Sequence, residues 1–382
     1  MRTNKMCAIV GNLNRFDELL PLTEKRPLAT LPFDCKYRLI DFNLSNIVNA
    51  NINTIFMVFN ERKTQSVFDH IGGGREWDLD NILKHFFTYV YPEQNKTDSQ
   101  AYYDMIIDYL IKSKSEYTVY MSSKILCNID FRAVLKVHQT QASDMTVVYK
   151  RVMKEQIHET DCLLKVGEDG KIIATNTAGS LSDVPEDELH NLCADIFIIK
   201  TNRLIELLEE VKVNGLTDYI NKIFRDQMTS SRVSTYEYTG YLSNIFSVKH
   251  YFDANMDMLD VNKFNSLLYT SRKVYTKVKN EVPTYYAESS EVKKSHFATG
   301  SIIEGEVRES IISRRTEIKS DALVEHSILM PKAVIGEKAH IKYAILDKYV
   351  QVQPGIKIIG TAEHPVVIPK GSLVTEDIIE GD

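Results

Sequence analysis

The chain opens with a strand-like run that ought to lead into a phosphate cradle. Met6-Cys7-Ala8-Ile9-Val10-Gly11 is apolar and ends on glycine. In a nucleotide-holding α/β domain the residues after such a strand are glycine-rich and basic, because backbone N–H groups must reach phosphate and cations must balance it. Here they read Asn12-Leu13-Asn14-Arg15-Phe16-Asp17-Glu18-Leu19, with no glycine and two acids. Gly72-Gly73-Gly74-Arg75 has the composition of a phosphate nest, but it follows no clear strand and opens no clear helix, so it reads as a turn. The histidines show no His-x3-His or His-Glu-x-x-His spacing, and Cys7, Cys35, Cys127, Cys162 and Cys193 form no Cys-x-x-Cys pair. No zinc site and no disulfide framework are expected, and buried reduced thiols are. The cations that stand out are Arg26, Lys36 and Arg38, the last two inside Lys36-Tyr37-Arg38-Leu39-Ile40-Asp41-Phe42-Asn43-Leu44-Ser45-Asn46.

These residues need a scaffold. Cys7–Val10, Thr54–Phe59, Tyr117–Met121, Met145–Tyr149 and Ile196–Ile199 are apolar runs of strand length. Helix patterns lie at Phe42–Asn49, Tyr102–Lys112, Phe131–Thr140 and Thr201–Val211. The last starts at a cap-like Thr201-Asn202 and carries Leu204, Leu207 and Leu208 on one face. Alternating strands and helices over more than half the chain predict a mostly parallel sheet covered by helices. After about residue 260 the texture changes to short apolar doublets between turn-forming and charged residues. Ile311-Ile312, Ile328-Leu329 and Ile345-Leu346 recur at a step of 17 residues. Three faces of about six residues per coil predict a left-handed parallel β-helix rather than a sandwich, which would alternate strictly and turn in hairpins. The expected organisation is an α/β domain over 1–260, a linker over 261–288 and a β-helix over 289–382.

Composition narrows the function. A chain of 382 residues suits two domains, and 43% hydrophobic with 26% charged residues is ordinary for a globular protein. A net charge of −6 gives no basic footprint for nucleic acid or for a membrane surface. No apolar run reaches the roughly 18 residues that span a bilayer, and no leader pattern precedes Met6, so the cytoplasm is the expected location.

The stretch Lys36–Asn46 resembles the Gly-Lys-Tyr-Arg-Leu-Ile-Asp-Phe-x-Leu-Ser-Asn signature of the glucose-1-phosphate adenylyltransferases (ADP-glucose pyrophosphorylases). Leu20-Pro21-Leu22-Thr23 with Arg26, His70-Ile71-Gly72 with Trp77-Asp78-Leu79-Asp80, Ala254-Asn255-Met256-Asp257, Ser301–Val307 and Val367-Ile368-Pro369-Lys370-Gly371 extend it along nearly the whole chain. The resemblance implies a Rossmann-like nucleotidyltransferase (GT-A-like) domain followed by the β-helix. It implies a reaction joining glucose 1-phosphate to ATP, with release of pyrophosphate and Mg²⁺ held by carboxylates.

Against that pattern the parts that would carry the chemistry are replaced. The family's triphosphate loop corresponds to Leu13–Leu19, and its phosphate-contacting lysine to Leu28. A metal-binding aspartate corresponds to Lys124, which cannot coordinate Mg²⁺, and the second metal carboxylate to Asn244. The lysine facing the sugar phosphate corresponds to Ala178. Asp98–Tyr102 and Asn214-Gly215-Leu216 also depart from the family, while Asp218 is kept. Loss of one phosphate-charge stabiliser commonly costs a factor of about 10² or more in rate. The expectation is therefore a non-catalytic, regulatory subunit with no metal and no cofactor of its own. It would pair with a catalytic subunit in a heterotetramer, or form a homo-oligomer. Arg26, Lys36 and Arg38 are the candidate cations for an interface or for a sugar-phosphate or nucleotide effector, the alternative being surface ion pairs with Asp41 or Asp34. The rival readings are an active sugar-1-phosphate nucleotidyltransferase with a divergent site, an acyltransferase using His326 or His340, and a homo-oligomeric sensor.

Overall fold

The computed structural model describes residues 5–60, 64–80, 85–91, 99–179, 184–214, 220–230 and 232–380. The first domain runs β1 (Met6–Asn12), β2 (Pro32–Phe33), β3 (Tyr37–Arg38), α1 (Leu39–Asn49), β4 (Thr54–Asn60), α2 (Gln65–Ile71), β5 (His85–Tyr91), α3 (Ser99–Ser113) and β6 (Tyr117–Ser122). It continues through β7 (Ile125–Cys127), α4 (Phe131–Thr140), β8 (Met145–Val152), β9 (Cys162–Val166), β10 (Ile172–Thr177), β11 (His190–Lys200) and α5 (Thr201–Val213). It closes with α6 (Ile220–Asp226), β12 (Val233–Glu237), β13 (Leu242–Asn244), α7 (Val248–Met256) and α8 (Val261–Leu267).

The central sheet runs β10-β9-β11-β6-β1-β4-β5, with β8 on the far edge of β11 and β12 beside β8. The strands β6, β1, β4 and β5 are parallel, and β6, β1 and β4 are buried on both faces. Met6, Ala8 and Val10 of β1 face one core while Cys7 and Ile9 face the other, which is why these strands read as unbroken apolar runs. The expected parallel sheet is mixed on one side: β11 is antiparallel to β6, β8 and β9, and β9 is antiparallel to β10. Strand β11 arrives from the β9–β10 hairpin, so no helical crossover is needed to reverse it. The register of β11 shifts between Cys193 and Ile196, and Asp195 there has φ 49°. Helix α5 starts without a side-chain cap; the Thr201 hydroxyl instead meets that of Thr118 at 3.0 Å, while Leu204, Leu207 and Leu208 are buried as the periodicity requires.

From Tyr285 onward the chain coils into a left-handed parallel β-helix with three parallel sheets. Ile311 pairs with Ile328 and Ile328 with Ile345, the 17-residue step seen in the sequence. Ile318, Ile335, Val324, Ile341, Leu329 and Leu346 fill the prism. The doublets have a specific cause. Ile312, Leu329 and Leu346 point into the prism, while their neighbours Ile311, Ile328 and Ile345 join a core shared with Leu22, Leu28, Tyr251 and Phe252 of the first domain. That face of the β-helix is buried on both sides.

The shared core encloses a buried ion pair. Arg26 Nη2 donates to both carboxylate oxygens of Asp347, at 2.7 and 2.5 Å, and both residues are almost fully enclosed. His296 in the first coil hydrogen-bonds Asp34 at 2.6 Å, and Arg314 donates to the Lys36 carbonyl at 3.2 Å.

Asp347→Ala leaves the Arg26 guanidinium buried without its counter-charge. It is expected to lower stability by about 3–5 kcal/mol, seen as a drop in urea midpoint, whereas the double change Arg26→Met with Asp347→Leu should recover most of the loss. A second expectation concerns pH. The hydrogen bond to Asp34 raises the His296 pKa above its ordinary value. The stability it contributes is complete below about pH 6.5 and is lost as pH rises through the folded-state value. Unfolding midpoints measured from pH 6 upward should fall more steeply for the wild type than for His296→Gln; parallel curves would remove this contact from the account.

Candidate functional site

In an open α/β sheet, ligands bind outside the carboxyl ends of the strands where the connections diverge. Here that point lies at the ends of β1 and β6, and it is filled. Asn14 Nδ2 donates to the Ser122 hydroxyl at 3.2 Å, the Ser123 hydroxyl donates to Asn12 Oδ1, and Leu28 is buried against them. A cavity of ≈ 10 Å³ remains between Gly11, Asn14, Leu28 and Lys124, room for about one water. The segment that stands where a phosphate loop would be, and that lacks its glycines, folds down as an aromatic plug. Phe16 lies 5.0 Å from the His158 ring and 6.4 Å from that of Phe246, and Asp17–Leu19 form a 3-10 turn.

Behind the plug, Lys124 leaves the end of β6 and is 2% exposed. Its ammonium donates to Asp161 Oδ1 and lies 3.5 Å from Asp195 Oδ2. Asp161 Oδ2 accepts from Asn244 Nδ2 at 2.6 Å and from the His158 backbone N–H at 2.9 Å. Asp195, set out by the irregularity in β11, is held through both oxygens by Arg225 at 2.9 Å. Burial would drive the proton off Lys124, but the carboxylates of Asp195 and Asp161 outweigh it and hold the pKa above that of a free lysine. Thus Lys124 and Asn244, distant in sequence, converge on Asp161. Asp161, Asp195 and Arg225 were not singled out in the sequence; the only signal for them is that a buried lysine needs counter-charge.

The remaining expected positions are scattered. Ala178 packs in a small apolar cluster with Val152, Ile157, Val184 and Leu192. Asp98, Gly215, Leu216 and Asp218 lie outside the described residues. Gly72 ends α2, its N–H bonding the Phe68 carbonyl at 2.9 Å, and a Cβ on Gly74 (φ 78°) would meet Leu79 Cβ at 2.7 Å, so the glycine run is a turn. His326 and His340 are bound to Glu309 at 2.8 Å and Glu325 at 3.1 Å. All five cysteines are free, and burial raises the thiols of Cys127 and Cys162 to about 12 and about 11. Among the described residues no group of three or more His, Cys, Asp or Glu could hold a metal ion, and no helix is long and apolar enough to cross a membrane.

The three candidate cations part company. Arg26 is consumed by Asp347. Lys36 is exposed, its ammonium 5.3 Å from the centre of the Tyr37 ring. The Arg38 guanidinium donates to the Ser66 carbonyl at 2.8 Å, while its backbone N–H, not its side chain, bonds Asp41. Burial, with Arg26 and Arg314 nearby, brings Arg38 down to about 10. Lys348 of the β-helix stands in the same neighbourhood. Burial, then Arg38, Arg26 and Lys370, bring it down to about 7. The domain junction therefore gathers more positive charge than its own carboxylates relieve.

Comparison with known proteins agrees with this architecture. Residues 17–173 match the nucleotidyl transferase family model, and residues 281–365 match the GlmU-like C-terminal hexapeptide model. The chain is 30% identical over 375 residues to the glycogen biosynthesis protein GlgD of Bacillus subtilis, covering 97% of each chain. The chain belongs to the glucose-1-phosphate adenylyltransferase family, together with the GlgD proteins. It is 31% identical to GlgD of Geobacillus stearothermophilus over 98% of this chain and 99% of that one. It is 25% identical to the glucose-1-phosphate adenylyltransferase of Bacillus cereus over 88% and 90%.

This family implies a divalent metal. At Lys124 and Asn244, the positions expected to carry its carboxylates, the side chains offer an ammonium and a neutral amide, and the ammonium already satisfies Asp161. These residues do not fit a divalent cation as they stand. The plug can be tested directly. Phe16→Ala should cost about 3 kcal/mol of unfolding free energy if the ring is packed as described; a loss below about 1 kcal/mol would mean that the crevice is not sealed by it.

Proposed function

We propose that this chain is the regulatory, non-catalytic subunit of a glucose-1-phosphate adenylyltransferase in glycogen biosynthesis, acting in the cytoplasm on a catalytic partner subunit. The observation that carries this reading is the Lys124 ammonium, neutralised by Asp161 and Asp195 where the reaction would need a cation held by carboxylates. The plug at Phe16, Leu28 in place of a phosphate-binding lysine, and Ala178 within an apolar cluster point the same way. The similarity to GlgD proteins over 97% of the chain, and to an adenylyltransferase over 88%, supports this choice of pathway and partner.

On this reading the subunit acts by differential binding. Its interfaces favour the active conformation of the partner, with a coupling of typically about 1–3 kcal/mol, or roughly 5- to 150-fold in an equilibrium. A tetramer with two copies of each subunit is the assembly the family implies. Arg38, Lys348 and Lys370, with Lys36 exposed beside them, suit a phosphorylated sugar or nucleotide effector at the domain junction, since an anion there would relieve like-charge repulsion.

Pyrophosphate release from ATP and glucose 1-phosphate provides the test. The purified chain alone is expected to show no turnover. Mixed with a catalytic subunit it is expected to co-elute and to raise turnover. Activity of the chain alone within about tenfold of a catalytic family member would favour the divergent-enzyme reading and sink this one. Neither co-elution nor activation would also overturn it, and effector binding without a partner would favour the sensor.

A further inference from the structure

The first coil of the β-helix ends the prism without covering it. This coil consists of β14 (Tyr285–Tyr286), β15 (Glu291–Lys293) and β16 (His296–Phe297), and each strand pairs on one side only, with the coil that follows. Val292 stands in line with Val307, Val324, Ile341 and Ile358, all 0% exposed, yet it is 42% exposed. Tyr286 stands in line with Ile303, Ile318 and Ile335, also 0% exposed, and is itself 47% exposed. Phe297, in line with Ile312, Leu329 and Leu346, is half-buried, its ring edge-on to that of Tyr286 at 5.6 Å. These three side chains are a layer of the prism core with nothing laid over it. At the far end the last layer is better covered: Ile368 and Val374 are buried and Ile378 is half-buried. A terminal repeat normally turns a polar face outward; this one turns out a tyrosine, a valine and a phenylalanine.

We propose that this coil is a self-association surface, on which two copies of the chain join their β-helices end to end about a two-fold axis, with β15 pairing antiparallel to β15 of the second copy. The charges of β15 choose this occupant. Glu291 lies opposite Glu306 and Lys293 opposite Arg308 in the neighbouring strand, and like charges facing each other are unfavourable. Glu306 and Arg308 already pair with each other, and Arg308 also with Glu325. Among the described residues Glu291 and Lys293 form no ion pair. A copy stacked head to tail would lay its last strand, Ile378–Ile379, on this edge. With Ile378 against Val292, that places Asp377 beside Glu291 and Ile379 beside Lys293, and neither charge is met. A copy turned by a two-fold axis sets Val292 against Val292, Glu291 against Lys293 and Lys293 against Glu291. The same rotation brings β14 of each copy to β16 of the other, so that Tyr286 meets Phe297. The exposed layer is then buried, the open strand edges are paired, and the contact closes at two copies.

This surface goes beyond the regulatory reading and does not rest on it. The test uses the full chain alone, its mass followed by light scattering and sedimentation as concentration is varied. The wild type is expected to hold its copies in pairs, alone or within a larger assembly whose mass a single reversal halves. Glu291→Lys or Lys293→Glu sets like charges together twice across the axis and should weaken pairing about tenfold or more. The double reversal restores both contacts and should return affinity to within about threefold of the wild type. The two single variants, each poor at pairing with itself, should pair with one another when mixed. Either change also relieves a like-charge neighbour, Glu306 or Arg308, so the thermal midpoint should not fall and lost pairing is not lost folding. A wild type that stays monomeric even at about 0.1 mM overturns the proposal. So does pairing that ignores the reversals, or growth into open-ended chains as head-to-tail stacking would give. None of these results decides whether the chain activates a catalytic partner, so the two readings fail separately.

Discussion

A buried ammonium must be neutralised, and most of the site in this molecule follows from that requirement. Lys124 reaches an environment where an unpaired charge would cost several kcal/mol. It is held there only because Asp161 and Asp195 come to it from different elements. Their arrival has structural consequences. Asp195 takes a left-handed backbone conformation in a strand otherwise regular enough to carry the centre of the sheet. Asp161 sits at the start of a hairpin and receives a backbone N–H as well as two side chains. Arg225 completes the balance, so that two positive and two negative groups share one enclosed volume. The arrangement is rigid because every member is needed to keep another from being buried alone.

The same logic operates where the domains meet. Arg26 and Asp347 are a second enclosed pair, surrounded by an apolar contact that gives the association its free energy. The hydrophobic surface of Ile311, Ile328 and Ile345 is what makes the β-helix part of the body of the protein rather than an appended rod. The ion pair adds specificity, since sliding the two domains by one coil would leave both charges unmatched. Around this neutralised pair lies a rim of cations that is not neutralised. Lys348 carries the mark of it, with a depressed affinity for its proton. The junction thus combines a fixed register with a local excess of positive charge.

How much of this was legible in the sequence depended on whether the signal was local. The strands at Cys7–Val10 and Thr54–Phe59 and the helix at Phe131–Thr140 are set by runs of side chains that bury themselves, and they stand where the periodicity puts them. The β-helix was legible because a 17-residue step repeats the same local solution. The doublets were legible as apolar but not as doubly buried, because the partner surface at Tyr251 and Phe252 lies elsewhere in the chain. The direction of β11 was not legible, since an apolar strand does not record which way its neighbour runs. Within the site, Lys124 and Asn244 were found by resemblance, whereas Asp161, Asp195 and Arg225 were not. An aspartate that will neutralise a distant lysine looks in sequence like any aspartate. Arg26 was singled out as a cation but not as one already spent, because its partner lies 321 residues away.

The replacements at the crevice also explain one another. An active site that binds phosphate and metal keeps charges and backbone donors exposed, a condition that lowers stability and persists only while function requires it. Once substrate need not enter, each change that fills the crevice is favourable by itself if its charges balance. Phe16, edge-on to His158 and tilted against Phe246, fills with apolar surface the space that a phosphate loop would leave open to water. Leu28 in the core needs no anion to face it. Lys124 brings a covalently held positive charge to Asp161 and Asp195. The crevice that results is filled from both sides by Asn14, Leu28 and Lys124. Its closure fixes the position of the surrounding segments, because β6, β9, β11, α6 and β13 all meet at one charge-balanced cluster.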